Sequence, residues 1–225
     1  TGSYQLEVSA LAVSQTLTTR TLLNDSDTTA LGTGSLSITV GTTTANVAID
    51  SSNNTLEGIA AAINEESDLG VTATVLNTGT GYKLVLNSDE TGTANEIEIQ
   101  VTDTGDGNDT DENGLSRLSY TAGALNLDLS QVAVDAAFEL NGVPITRSSN
   151  TVDDVIPGVT LSLTGTNDGA PSSLVVANDT EEVVDKVKEF IEKFNALQTL
   201  INDNSEFDPS GASENGLLLG DATTR

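Results

Sequence analysis

A mainly β fold with some helix, of the α+β class, is predicted by three observations. Short runs that alternate apolar and polar residues fill most of the chain before Asp179. One stretch among them, Leu56–Ile63, switches to helical spacing. From Asp179 onward a long apolar stripe recurs every three or four residues. Period two marks half-buried strands, and a period near 3.6 marks amphipathic helices.

The elements follow in order. Tyr4, Leu6 and Val8 alternate with Gln5 and Glu7, so the strand expected over 4–13 is half-buried. Asn24–Gly34 is turn chemistry and a boundary. Leu36, Ile38 and Val40, then Gly41, then Val47 and Ile49 read as a hairpin. Leu56, Ile59, Ala60 and Ile63 form the apolar face of a helix, with Asn54 or Thr55 as its cap, Glu57 at the positive end of its dipole and Gly70 as a stop signal. VTATVLN and GYKLVLNS are a second hairpin and NEIEIQVTD a further strand. Gly34–Thr102 is therefore expected to be a ββαβββ unit. Residues 103–114 carry five acids and no base, and read as a solvated loop.

Two phrases resemble one another: SSNNTLEGIAAAI at 51–63 and SSNTVDDVIPGVT at 148–160, each after a short strand-like run. AAFELNGVPIT reads as a hairpin turning at Asn141-Gly142. By analogy with the first copy, a short helix capped by Asn150 or Thr151 is expected next, stopped by Pro157-Gly158. VTLSLTG and SSLVVAND return as strands.

The strongest helix is expected over Asp179–Asn202, with Asp179 and Glu182 fitting a capping box. Val183, Val187, Phe190, Phe194, Leu197 and Ile201 are spaced 4, 3, 4, 3, 4, which is a heptad seam widened by Val184 and Ile191. These six are the candidate site. They are read as a helix-packing face within the chain, with a direct subunit contact as the alternative. The partner helices lie outside this stretch or come from another subunit.

Composition narrows the function. The 225 residues hold 34 acids against 8 bases, a net charge of -26, and no base lies between Arg20 and Lys83. Such a surface repels phosphate backbones and anionic lipid heads, so neither nucleic acid nor membrane is an expected partner. Without His or Cys there is no Ser–His–Asp triad, no thiol nucleophile and no zinc site of the usual kind. No run approaches the about 18 apolar residues of a membrane span. The chain starts at Thr1 without a signal peptide, and is expected to be a fragment.

Asp109, Asp111, Asn113 and Gly114 match positions of a calcium loop, but Tyr120 stands where its bidentate Glu belongs, so no metal is expected. Asp153-Asp154 is a carboxylate pair placed to favour a helix dipole rather than to catalyse. No catalytic residue and no cofactor is expected, and the chain is not read as an enzyme.

Three stretches together resemble the hook-associated protein 2 family, the bacterial flagellar filament-capping proteins. LGTGSLSITVGTTTANVAIDSSNNTLEGIAAAIN, continued by VTATVLNTGTGYKLVLNS, resembles a repeat of flagellins and hook-associated proteins. AAFELNGVPITRSSNTVDDVIPGVTLSL and FIEKFNALQTLIND with GLLLGDATTR resemble the family's C-terminal region, in the family's order. The resemblance implies two β-rich head domains on a helical stalk that holds both chain ends. The strand at 4–13 has no close partner before Asn24. Residues 4–30 with 132–178 are therefore expected to form a discontinuous head domain, 31–131 a head domain inserted in it, and 179–225 part of the stalk, with the family's terminal coiled-coil segments missing. The implied function is a structural cap at the distal, extracellular tip of the flagellar filament that promotes flagellin polymerisation. The implied partners are further copies of itself in a ring, flagellin and other hook-associated proteins. The alternative is a secreted or surface-exposed adhesin.

Overall fold

Residues 2–21, 23, 25–26, 28–177 and 180–205 are described by the computed structural model. The class is α+β: strands dominate and, among the described residues, two α-helices occur. The chain divides into two compact units, Tyr4–Leu174 and Thr1–Ser3 with Val175–Arg225, the second containing the long helix.

Strands β1 (Gly2–Ala10) and β2 (Thr16–Thr19) come first. Then follow the hairpin β3 (Gly34–Val40) and β4 (Thr43–Ile49), helix α1 (Leu56–Asn64), the hairpin β5 (Val71–Asn77) and β6 (Tyr82–Ser88), and β7 (Ile97–Asp103). This is the expected ββαβββ order. Thr55 caps α1 by accepting from Gly58 N at 3.2 Å, and Glu57 accepts from the Ser26 hydroxyl at 2.6 Å. The helix ends at Asn64, short of Gly70, because the Asn64 amide turns to the sheet: its Nδ2 donates to Ala73 O and its Oδ1 accepts from Ala73 N, both at 2.8 Å.

Strands β8 (Tyr120–Thr121) and β9 (Ala124–Leu125) extend the first sheet to the order β4-β3-β7-β8-β9. Strand β10 (Leu127–Gln131) edges a second sheet, β10-β2-β6-β5. Leu36, Ile38, Ile99, Leu17, Leu84 and Leu86 from these sheets join Leu56, Ile59 and Ile63 of α1 in one core. Each such aliphatic side chain contributes about 1.5–3 kcal/mol on leaving water.

The second lobe opens with β11 (Ala136–Leu140) and β12 (Val143–Arg147), joined by Asn141-Gly142 with φ of 53° and 78°, as a tight hairpin turn demands. Strands β13 (Thr151–Ile156), β14 (Val159–Ser162) and β15 (Ser172–Val176) follow. β1 pairs antiparallel with β11, Leu6 opposite Leu140 and Val8 opposite Phe138, in a sheet ordered β12-β11-β1-β15. Val8, Ala12, Ala136, Phe138, Val152, Leu161 and Leu163 make a separate core. The chain crosses between cores at Val13, which is bridged to Val134, and β2 then lies in the larger one.

The helix expected after Ser149 is not there. Thr151–Ile156 is strand β13, hairpinned to β14 with Ile156 opposite Val159. Thr151, Val152, Val155 and Ile156 are β-branched, and Pro157 leaves room for fewer than two helical turns, too short to stand alone. Pro157 and Gly158, with φ of +75° at the glycine, instead make the two-residue turn. The two similar phrases thus share a hairpin before them but not a helix.

Candidate functional site

Helix α2 (Thr180–Ser205) carries the apolar seam. Its 26 residues span about 39 Å. The capping box expected at Asp179, and residues 206–225, lie outside the described residues. Lys188 pairs with Asp185 at 3.1 Å and Lys193 with Glu189 at 2.6 Å. Exposed pairs of this kind contribute only about 0.3–0.5 kcal/mol each, so they do not account for a helix this long.

The seam is brought onto one face and left open. Val183, Val187, Phe190, Phe194 and Leu197 are all exposed, Phe190 to 68 %, while Ile201 is half-buried. Val184 and Ile191, which widen it, are also exposed. The Phe190 and Phe194 rings stack on each other, centroids 6.3 Å apart. Leu200, 58 % exposed, extends the apolar surface and was not part of the heptad. At about 100° per residue it falls on the flank opposite Val184 and Ile191, a position that helical angle, rather than heptad spacing, would have found. A contiguous exposed apolar stripe of this kind is what an interaction face presents.

The acidic loop is built for its own backbone. Asp109 Oδ1 accepts from Asp103 N at 2.6 Å. Asp111 accepts from the Ser116 hydroxyl at 2.5 Å and from Asn113 N and Nδ2, each at 3.0 Å. The Ser116 hydroxyl first, then Asn113, holds the Asp111 carboxyl below its ordinary range. Asp103, absent from the calcium motif, is the centre: its carboxylate accepts from Gly105 N, Leu115 N and Ser116 N at 2.7, 2.6 and 3.2 Å, tying the loop to a 3-10 turn at Gly114–Leu118. Asn126 Nδ2 adds bonds to Thr110 O, Asp111 O and Ser116 O.

Asp153 and Asp154 sit on a strand, not at a helix start. Asp154 takes Arg147 in a forked pair, Nη2 to Oδ2 at 2.9 Å and Nε to Oδ1 at 3.0 Å. That guanidinium holds the Asp154 carboxyl below its ordinary range. Among the described residues no group of three His, Cys, Asp or Glu is placed to hold a metal, and no helix is long and apolar enough to cross a membrane.

Comparison with known proteins covers the helix and the two lobes alike. Residues 133–225 match the family model for the flagellar hook-associated protein 2 C-terminus, and 35–90 match the flagellin hook IN motif. The B-type flagellar hook-associated protein 2 of Pseudomonas aeruginosa is 35 % identical across all of the chain, which covers 49 % of that protein. Flagellar hook-associated protein 2 of Escherichia coli K12 is 33 % identical, with 48 % of it covered. The chain thus spans about half the length of the curated relatives it matches. A crystal structure of FliD (HAP2) from Pseudomonas aeruginosa superposes with a TM-score of 0.71 at 32 % identity, over 93 % of this chain and 94 % of that one. The D1-D2-D3 domains of the flagellar cap protein FliD from Escherichia coli superpose at 0.78 with 30 % identity, over 89 % of this chain and 66 % of that one.

Proposed function

This chain belongs to the flagellar hook-associated protein 2 family, and we propose that it supplies the β-rich head and part of the helical stalk of a cap at the distal end of the bacterial flagellar filament. The family is structural, not enzymatic. In this reading the cap lies outside the cell, flagellin subunits insert beneath it, and other hook-associated proteins are its neighbours in the flagellum. The expected division, 4–30 with 132–178 as one head domain and 31–131 inserted in it, is kept with one correction: β2 packs in the core of the inserted domain, so the first boundary falls at Val13, and α2 is read as the stalk's beginning.

The uncovered seam of α2 carries the proposal. Head charge of one sign opposes close approach of copies, over a range of about 8 Å at physiological salt. Association of the full protein into a closed ring therefore runs mainly through the stalk, where apolar surface is free to be covered. An adhesin head has no need of such a helix. Deletion of the gene tests the reading. Cells should still export flagellin but release it as monomer and fail to build long filaments. Normal filaments and normal swimming in the deletion strain overturn the cap and favour the adhesin.

A further inference from the structure

Strand β4 ends the five-stranded sheet, and its free edge is bare. All seven residues, Thr43–Ile49, pair with β3 in unbroken register, from Thr43 opposite Val40 to Ile49 opposite Gly34. The strand holds no charge, no proline and no bulge. It closes the longest uncharged run in the chain, residues 28–49. A long, flat, uncharged edge is a template for a further strand, and proteins ordinarily guard such edges. Ends of other sheets carry those guards. Pro144 lies on β12, and Asp128 and a register shift mark β10. The Asn64 amide holds both N and O of Ala73 on β5.

The turn before β4 decides which main-chain groups are free. Val40 and Thr43 flank the two-residue turn Gly41-Thr42, with φ of 58° at the glycine. Residues flanking such a turn bond each other, and the pattern then alternates. The main chain of Thr43, Ala45, Val47 and Ile49 therefore points to β3, and that of Thr44, Asn46 and Ala48 to the open edge. The Ala48 carbonyl is taken by Asn53 Nδ2 at 3.1 Å. Among the described residues, the main-chain N–H and C=O of Thr44 and Asn46 have no partner. Thr44 and Asn46 are exposed, and Ala45 between them is half-buried against the core.

We infer that this edge pairs with the same edge of a second copy of the chain, antiparallel about a two-fold axis at Ala45. Thr44 exchanges main-chain bonds with Asn46 of the second copy, and Asn46 with its Thr44. The two Ala45 residues form the close, non-hydrogen-bonded pair between them, with Cα atoms about 4.5 Å apart. The free groups lie evenly about Ala45, bounded by the turn at Thr42 on one side and by Asn53 at Ala48 on the other. Charge permits a copy at this place. Asp50 is the nearest acid along the strand, and the two Asp50 residues stand about 34 Å apart. Glu98 on β7, two strands in, stands about 24 Å from its counterpart. Both gaps exceed the range of about 8 Å over which charges act at physiological salt. A charged foreign segment meets no opposite charge on β4 to select it. The net charge of -26 still opposes the pair at long range, so the pair tightens as salt rises. The contact lies in the head, and its failure leaves the proposed stalk ring untouched.

The chain has no cysteine, so one introduced thiol reports the register. Ala45→Cys puts the two Cβ atoms within disulfide reach across the axis. Ala48→Cys, three residues off the axis, leaves its thiols about 20 Å apart and is the control. With copper phenanthroline as oxidant, the 225-residue Ala45→Cys chain should cross-link to a dimer and Ala48→Cys should not. Sedimentation equilibrium of the unsubstituted chain should show a dimer whose fraction rises from about 0.05 M to about 0.5 M sodium chloride. Asn46→Pro removes an N–H that faces the open edge, a place where a strand tolerates proline. It should weaken the dimer about thirtyfold, the order expected for two main-chain bonds lost across the axis. Phe190→Ser with Phe194→Ser, on the seam of α2, should leave the Ala45→Cys cross-link intact. Cross-linking no faster at Ala45→Cys than at Ala48→Cys, or a monomer at both salt concentrations, overturns the inference. A dimer indifferent to Asn46→Pro, or a cross-link lost with the seam, overturns it too.

Discussion

Asp103 is only 3 % exposed, and its carboxylate is satisfied by three main-chain N–H donors. Replacing it by Ala leaves those donors in the interior without an acceptor, at a cost of about 3 kcal/mol. Urea unfolding of Asp103→Ala should show that loss, and Asp103→Asn, which keeps one acceptor, a smaller one. A loss within about 0.5 kcal/mol, as for an ordinary surface site, would refute the role. Asp111 titrates in the same loop, with its folded pKa held below its unfolded value. The unfolded chain therefore binds this proton more readily. The stabilisation is complete above the unfolded value of about 3.9, and is lost as pH falls through the folded one. The stability difference between wild type and Asp111→Asn should be constant above about pH 5 and close on acidification below about pH 4. A difference that widens there contradicts the sign. Sequence marked this loop as acidic, polar and partly matched to a calcium motif, without Asp103. The knot was hidden because Asp103 bonds residues 12 and 13 positions away, beyond any local pattern.

Where local periodicity and tertiary demand agree, the elements were legible: β3 to β7 with α1 between them, and the Asn141-Gly142 hairpin. They disagree at Thr151–Ile156. A good cap and two acids suggested a helix there, but a β-branched run before Pro157-Gly158 pairs more favourably as a hairpin. The short strands β8 and β9 and the buried Leu115 and Leu118 were missed because two-residue strands and 3-10 turns have no period to read. The contrast between α1 and α2 is a difference of covering. Ile59 on α1 is fully buried, so Ile59→Ala should cost about 3 kcal/mol in the 225-residue chain. Phe194 on α2 is 49 % exposed, although a packed seam was expected on sequence grounds. Among the described residues no partner helix covers it. Phe194→Ala should therefore cost about 0.5 kcal/mol or less in this chain, within the surface range. In the full protein, with the stalk complete, the same substitution should cost about 3–5 kcal/mol. Paired melts of the two variants in both proteins check this, and equal losses for Phe194→Ala in both would contradict an open seam.

At the scale of the molecule, the two lobes are joined without a slack linker. Val13 and Val134 bridge each other, Gln15 bonds Ser88 and Ile97, and Asp135 takes both N and Oγ1 of Thr93. Gly92 sits where a Cβ would come within 2.5 Å of the Ser148 side chain, so this close approach needs a glycine. A strongly acidic pair of braced lobes is joined in sequence to a helix with an exposed apolar seam. Composition alone excluded the commoner chemistries, and the order of three stretches carried the family. The occupant of the seam was not legible, because an apolar stripe marks a face and not what meets it. Immunogold electron microscopy of whole flagella, with antibody raised against the 225-residue chain, tests the proposed place of this protein most directly. Label confined to the distal tip of each filament is the expected result; label over the cell surface or along the filament length would contradict it.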